Sequence, residues 1–140
     1  RLSLAFGRSQ LLAVGMSPEF IPDADELLRR IHRHFLDTDS GRVSSAAFDG
    51  AELSVNWGRL ATADETARQD ATGNTVAICA LTAGACRQLG QEVVHDPVEA
   101  APGIPAHLAH ALVHGRKPRT VKQQLRDASR LVWTAVPSPD

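Results

Sequence analysis

Between residues 52 and 57 the chain alternates strictly between polar and apolar side chains. The apolar members are Leu53, Val55 and Trp57, and the polar members are Glu52, Ser54 and Asn56. In an extended chain these two sets point to opposite faces, so the pattern predicts a strand with one buried face. Such a strand requires a sheet and a layer packed against it. The preceding Asp49-Gly50 pair predicts a hairpin turn from a first strand over residues 43–48.

Two longer segments have the apolar spacing of helices. Residues 24–36 carry an apolar stripe behind Asp23 and Asp25, which predicts an N-terminal helix with acidic residues at its start. Residues 118–132 begin with a proline and carry a second stripe, which predicts a C-terminal helix with Trp133 packed against it. Shorter patterns predict a helix at 63–69, strands at 75–81 and 91–96, and a loop at 98–105. Residues 82–89 fit either a strand or a helix that ends at Gly90.

These elements predict the α+β class. We expect a single domain in which a small, mostly antiparallel sheet has an N-terminal and a C-terminal helix packed on it. The length of 140 residues and the hydrophobic content of 43% are typical of one globular domain. We expect residues 16–136 to form this domain, with residues 1–15 as a non-essential extension and residues 137–140 as a frayed tail. Met16, the only methionine, is the expected natural start.

Composition excludes several classes of protein. No segment approaches the ~18 consecutive apolar residues of a membrane span, so no membrane partner is expected. The formal net charge of −1 gives no global attraction to nucleic acid. Cys79 and Cys86 fit no zinc pattern, and on one helix or one strand their spacing prevents a disulfide. We therefore expect free thiols, with Cys79 an inert core residue, and a cytoplasmic protein.

Four of the six histidines lie in residues 95–114. Which of them can share one face depends on the backbone conformation at 106–114. If this segment is helical, His107, His110 and His114 share a face and could bind a metal ion. If it is a strand, only His110 and His114 share a face. We favour the strand because Gly115 and the charged residues after it resemble a strand end that leads into a helix. No familiar zinc motif is present, so no metal site is favoured and no cofactor is predicted.

A basic turn follows these histidines. From Gly115 to Arg130 six basic residues oppose one acidic residue, whereas residues 60–100 carry six acidic residues and two basic ones. A glycine followed by cations at the start of a helix is suited to bind an anion. We therefore consider Arg116, Lys117 and Arg119 as an anion-binding set and His110 as a catalytic acid or base beside it. The alternative is a solvated helix face that pairs with the acidic segment.

Other catalytic motifs are missing. Ser44, Ser45 and Ser54 do not lie in a G-x-S-x-G nucleophile elbow. The glycine-rich loops that bind nucleotide phosphates in P-loop and Rossmann folds are also absent from the sequence.

The segment from Ser45 to Trp133 resembles a group of small uncharacterised bacterial proteins. The shared features are Ser45 with Phe48, Leu53-Ser54-Val55, Gly90-Gln91, Asp96-Pro97, His110-Ala111 with Val113, Gly115-Arg116-Lys117 and Trp133. The resemblance implies no activity, cofactor or catalytic residue. It does favour His110 and the turn at 115–117 over His107 and His114 as the place for a site.

Three functions fit the sequence. The first is a non-catalytic interaction or regulatory module with a protein partner. The second is a domain that handles an anion (a phosphate, nucleotide or nucleic acid) through the basic turn and His110. The third is a metal-dependent hydrolase that uses His107, His110 and His114.

Overall fold

Eight strands and three α-helices make up the chain between Ser17 and Ala135, the residues that this computed structural model describes. The strands are β1 (Glu26–His32), β2 (Leu36–Asp37), β3 (Arg42–Val43), β4 (Glu52–Trp57), β5 (Thr75–Thr82), β6 (Glu92–His95), β7 (His110–His114) and β8 (Arg130–Thr134). The helices are α1 (Ala63–Arg68), α2 (Ala83–Gln88) and α3 (Arg119–Ala128). Short 3₁₀ turns occupy Arg33–Phe35 and Ser45–Phe48.

Six of the strands form one antiparallel sheet in the order β6-β7-β4-β1-β5-β8, and β2 pairs only with β3. The predicted α+β class with a mostly antiparallel sheet is therefore confirmed. The domain boundaries at 16 and 136, the extension at 1–15 and the tail at 137–140 concern residues outside the described part and stay predictions.

The main core lies on one face of this sheet. Its largest side chains, Trp57, Phe48, Leu27, Ile31 and Leu125, are almost completely buried. Leu125 comes from α3 and Phe48 from the 3₁₀ turn, which pack against each other above the sheet. Burial of these apolar surfaces is the main force that holds α3 on the sheet.

The other face of the sheet is only partly covered. A smaller cluster joins Leu28, Ile78 and Ala80 to Ala67 of α1, with Trp133 of β8 packed beside it. Because α1 has only six residues, it covers the β1–β5 part of this face and leaves much of the β4–β7 part open, where Ser54, His110 and Leu112 are half-buried.

The N-terminal helix predicted over residues 24–36 is wrong, because this segment forms β1 and a 3₁₀ turn. The apolar positions 27, 31 and 35 are separated by even numbers, so they also share one face of a strand. Pairing with β4 on one side and β5 on the other decides the outcome. Asp23 and Asp25 are not helix caps: Asp23 binds Arg87, and Asp25 accepts from the Trp57 indole.

Arg29 interrupts the apolar alternation that would have indicated a strand, because this charged residue lies between Leu27 and Ile31 on the core face. Its guanidinium donates to the carbonyl oxygens of Ala47 at 2.9 Å and Ser54 at 3.0 Å. Burial lowers the pKa of Arg29, and the neighbouring charge of Arg30 lowers it further.

The predicted hairpin is half right. Residues 52–57 are the strand β4, but residues 45–48 form the 3₁₀ turn instead of its partner strand. Ala47 and Phe48 are consecutive and both buried, which an alternating strand would not allow. The partners of β4 are β7 and β1.

The helix at 63–69, the strand at 75–81, the helical alternative at 82–89 and the strand at 91–96 are confirmed as α1, β5, α2 and β6. The strand alternative near 109–114 is confirmed as β7. The C-terminal helix was predicted too long, because α3 ends at Ala128 and residues 130–134 form β8 against β5. Trp133 packs from this strand on the second cluster and not on the helix. Within residues 17–135 no helix has the length and apolar character needed to cross a membrane.

We expect Arg29→Ala to lower the free energy of unfolding by about 1–3 kcal/mol, because two carbonyl groups in the protein interior lose their donor. The exposed Arg33, on the 3₁₀ turn after β1, is the matched control, and Arg33→Ala should change stability by less than about 0.5 kcal/mol. Equilibrium urea unfolding measures both values. Equal changes in the free energy of unfolding for the two substitutions would contradict a stabilising role for the buried hydrogen bonds of Arg29.

Candidate functional site

Polar side chains from neighbouring strands meet on the open part of the second sheet face. Ser54 comes from β4, His110 from β7 and Arg30 from β1, and Asp96 follows the last residue of β6. They line, or lie next to, a narrow cleft of about 20 Å³, roughly the space of one water molecule. The cleft is lined by Leu28, Arg30, Ser54, Val55, Asn56, His107 and His110.

The alternation of β4 and the register of the sheet bring these groups together. Ser54 and Asn56 point away from the core because Leu53, Val55 and Trp57 point into it. Asn56 is paired with His110 across the β4–β7 ladder. The amide of Asp96 donates to the carbonyl of His110 at 2.9 Å, which places the aspartate beside the histidine.

A continuous hydrogen-bonded chain joins Asp96, His110 and Ser54. His110 Nδ1 lies 3.1 Å from Asp96 Oδ2 and 3.1 Å from the Asp96 carbonyl oxygen. His110 Nε2 lies 3.3 Å from Ser54 Oγ. A carboxylate, an imidazole and a hydroxyl in this order form the arrangement by which a serine is activated as a nucleophile.

The chemistry of Asp96 sets the tautomer of neutral His110. Both oxygens near Nδ1 are acceptors, so Nδ1 carries the proton and donates it toward them. Nε2 is then unprotonated and accepts from the Ser54 hydroxyl. This is the tautomer that a general base needs, because the free lone pair faces the hydroxyl that would lose a proton.

Arg30 supplies positive charge to the same cleft. Its guanidinium makes only long contacts, of 3.5 Å to the Thr66 carbonyl and 3.4 Å to Gln69 Oε1. Among residues 17–135 it forms no ion pair with a carboxylate. Asn56 uses its side-chain amide to hold Thr66 at 3.0 Å and Gln69 at 2.8 Å. Arg30 therefore has hydrogen-bonding capacity left for an anion.

The sequence-predicted anion-binding residues lie away from His110. The α3 helix packs through Leu125 on the face that holds Ala111 and Val113, whereas the His110 side chain is on the other face. Lys117 is buried and donates to the carbonyl oxygens of Val113 at 2.8 Å and Gly115 at 3.1 Å. Burial lowers the pKa of Lys117.

Arg116 and Arg119 are exposed, and Arg119 lines a cleft between α3 and the β2–β3 pair. His110 and these three cations therefore do not share a pocket in the structure.

The three histidines considered for a metal site are also separated by the fold. His107 lies before β7 in an isolated bridge with Val98, and His114 lies 3.8 Å from Glu52 at the far end of β7. The helical backbone on which that site depended is not formed. In the described part of the chain, no group of three or more His, Cys, Asp or Glu side chains has the arrangement of a metal site.

His95 is a buried histidine with a structural role. Nδ1 accepts from the Glu19 amide at 3.0 Å, so the proton is on Nε2, which donates to the Leu108 carbonyl at 2.8 Å. The ring packs edge-on against Trp57 at 5.0 Å between centroids. Both nitrogens are occupied, and the ring fastens the segment before β1 to the segment before β7.

Ser54, Asp96 and Arg30 were not predicted to share a site with His110. Their signal in the sequence is weak, since Ser54 is one polar residue of an alternating strand and Arg30 was assigned to a helix. The strand order and register that bring them together are set by long-range pairing, which a local pattern does not reveal.

Both cysteines are free and buried, so neither is a candidate nucleophile. Burial raises the pKa of the Cys86 thiol from 9.0 to about 11, and nearby Lys117 and Arg87 offset only part of the effect. Burial also raises the pKa of Cys79. The inert character predicted for Cys79 agrees with its position in the core.

We expect Cys79 and Cys86 to react with Ellman's reagent at pH 8 only after unfolding. The raised pKa of Cys86 alone reduces its thiolate fraction about a hundredfold, and burial blocks access to both thiols. The release of thionitrobenzoate should correspond to two thiols in guanidinium chloride and to almost none in native buffer. Rapid reaction of the native protein would contradict this assignment.

Comparison with known proteins gives no match for this chain, whether with protein-family models, curated proteins or solved structures.

Proposed function

We propose that this protein is a hydrolase that cleaves an ester bond in an anionic substrate. Ser54 is the nucleophile, His110 is the general base, and Asp96 is the positioning residue for His110. The observation that carries the proposal is the hydrogen-bonded chain from the Asp96 carboxylate through His110 to Ser54 Oγ. The guanidinium of Arg30 in the same cleft, which has no carboxylate partner among residues 17–135, supports an anionic substrate.

The reaction follows from these positions. Ser54 Oγ attacks the ester carbonyl carbon while its proton passes to His110 Nε2. The carbon–oxygen bond to the alcohol breaks, and the alcohol leaves with the proton from His110. Water, deprotonated by His110, then attacks the acyl group on Ser54, which releases the acid and restores the hydroxyl.

The cleft of about 20 Å³ holds roughly one water molecule, so in this proposal it holds the hydrolytic water and the substrate lies over the open sheet face. Arg30 binds the anionic group, because its planar guanidinium matches a carboxylate with two parallel hydrogen bonds.

We expect His110→Asn to lower kcat/KM for p-nitrophenyl hemisuccinate by about 10²–10⁴-fold, because proton transfer from Ser54 is lost. Ser54→Ala should abolish turnover through the acyl intermediate, and Asp96→Asn should have a smaller effect than His110→Asn. Arg30→Gln should raise KM for this anionic ester about tenfold but leave KM for neutral p-nitrophenyl acetate nearly unchanged.

The chain offers matched controls. His114→Asn changes an exposed histidine of the same strand, and Ser40→Ala changes an exposed serine of the β2–β3 turn. Both should retain the wild-type rate. A fluorophosphonate probe, which forms a bond to an activated serine as fluoride leaves, should label Ser54 in the wild type but not in His110→Asn. Retained turnover in a folded Ser54→Ala variant, or absence of Ser54 labelling in the wild type, would refute the proposal.

An interaction module, which the sequence also suggests, is a second candidate. The observation that favours it is the edge strand β8, which pairs only with β5 among the described strands and exposes Leu131 and Val132. Edge strands that remain unpaired are usually protected by charges or prolines, because they can pair with another chain. In this candidate β8 extends the sheet through β8 of a second copy.

For this candidate we expect the wild type to dimerise as its concentration rises, measured by size-exclusion chromatography with light scattering. Leu131→Lys places a charge on the β8 edge and should give a monomer at the same concentrations. Leu60→Lys changes a leucine of similar exposure outside the strands and should still dimerise. A wild type that stays monomeric at every concentration would exclude this candidate.

A further inference from the structure

We propose that the cleft between α3 and the β2–β3 pair binds a phosphate-bearing small molecule. This basic cleft is lined by His34, Phe35, Leu36, Asp37, Arg42, Val43, Arg119, Gln123 and Arg126, together with the serines at the start of the 3₁₀ turn. It lies beside the core face of the sheet, so it is separate from the cleft at Ser54 and His110. The proposal therefore does not depend on the hydrolase.

Positive charge reaches the basic cleft from both of its walls. On α3, Arg119, Gln123 and Arg126 are spaced at i, i+4 and i+7, which places them on one face of the helix. Arg42 comes from β3 on the opposite wall. A ligand between the walls would meet guanidinium groups from two directions.

Two of these guanidinium groups lack a carboxylate partner in the part of the chain that the structure describes. Two other cations of α3 do have such partners: Lys122 lies 3.5 Å from Asp49, and Arg126 lies 3.0 Å from the adjacent Asp127. Between Ser17 and Ala135, Arg42 and Arg119 form no ion pair with a carboxylate. Arginine forks of this kind match the oxygens of a phosphate group by paired hydrogen bonds.

Asp37 is the acidic residue in the lining, and its negative charge offsets only part of the positive charge. Its carboxylate accepts from the Asp39 amide at 3.0 Å within the β2–β3 turn, so it is bound to that turn and not to the arginines. The Asp39 amide and the Ser40 hydroxyl and amide lower the pKa of Asp37. Because Arg126 is paired with Asp127, Arg42 and Arg119 against Asp37 leave the cleft with one net positive charge.

The volume of the basic cleft and its apolar wall indicate an organic phosphate as the ligand rather than a free phosphate ion. The cleft has a volume of about 430 Å³, within the range of sites for small organic ligands. Phe35 and Leu36 are half-buried on its wall and offer apolar surface beside the arginines. A diphosphate at Arg42 and Arg119 with its organic group on this wall would use both kinds of surface.

Isothermal titration of the protein with ADP and with inorganic pyrophosphate tests this proposal. We expect saturable binding of both ligands, with ADP the tighter because its nucleoside contacts the apolar wall. Arg119→Gln and Arg42→Gln should each weaken ADP binding about tenfold, since each removes a pair of charge-assisted hydrogen bonds. Binding should also weaken as salt is added, because the contacts are ionic.

Arg68→Gln is the matched control, since it removes an exposed arginine from α1 that is already paired with Asp64. It should change ADP affinity less than twofold, and so should His110→Asn if the two clefts are separate. No saturable binding by the wild type, or equal weakening by Arg68→Gln, would overturn the proposal. Equal affinity for pyrophosphate and ADP would overturn the assignment of an organic ligand. Binding of an oligonucleotide at this cleft, without ADP binding, would overturn the assignment of a small molecule.

Discussion

The alternation of side chains along β4 is the constraint on which both the core and the candidate site depend. Its odd-numbered residues, 53, 55 and 57, fill the main core. Its even-numbered residues are consequently held on the opposite face, where Ser54 contacts His110 and Asn56 anchors α1 through Thr66 and Gln69. Because β4 lies inside the sheet between β7 and β1, these polar groups rest on a strand with little freedom to move.

The elements that could be predicted from the sequence are those whose conformation is set by neighbouring residues in the chain. The strand β4, the strand β5 and the capped helix α1 follow from side-chain alternation, β-branched residues and a Thr62–Glu65 capping box. The strand β1 was missed because a buried arginine on its core face gave the segment the charge pattern of a solvated helix. The strand β8 was missed because Val132 continues the apolar spacing of α3, although the helix itself ends at Ala128 with Ser129 as its C-cap.

The candidate site illustrates the same division. The sequence allowed the strand at 110–114 to be predicted and His110 to be considered as a site residue. The other members of the site were not predicted, because Asp96, Ser54 and Arg30 are brought near His110 by the pairings of β6 with β7, of β4 with β7 and of β1 with β4. Each of these pairings joins residues distant in the sequence. The basic turn shows a different limit of the sequence, since the number of cations does not show which group each of them binds. Lys117 binds backbone carbonyls inside the protein and Lys122 binds a carboxylate, whereas Arg119 has no acidic partner in the described part of the chain.

The loop between β6 and β7 has a practical consequence. The bridge between Val98 and His107, with hydrogen bonds of 3.0 and 2.7 Å, ties its two ends together before the chain enters β7. The tip around Ala101–Ile104 is exposed and closed by its own pair of hydrogen bonds. Because its anchor points are already fixed to each other, a peptide tag or a fluorescent reporter inserted at Gly103 would transmit little distortion to either strand. This tip is therefore the natural attachment point for labels that follow ligands on the sheet face nearby.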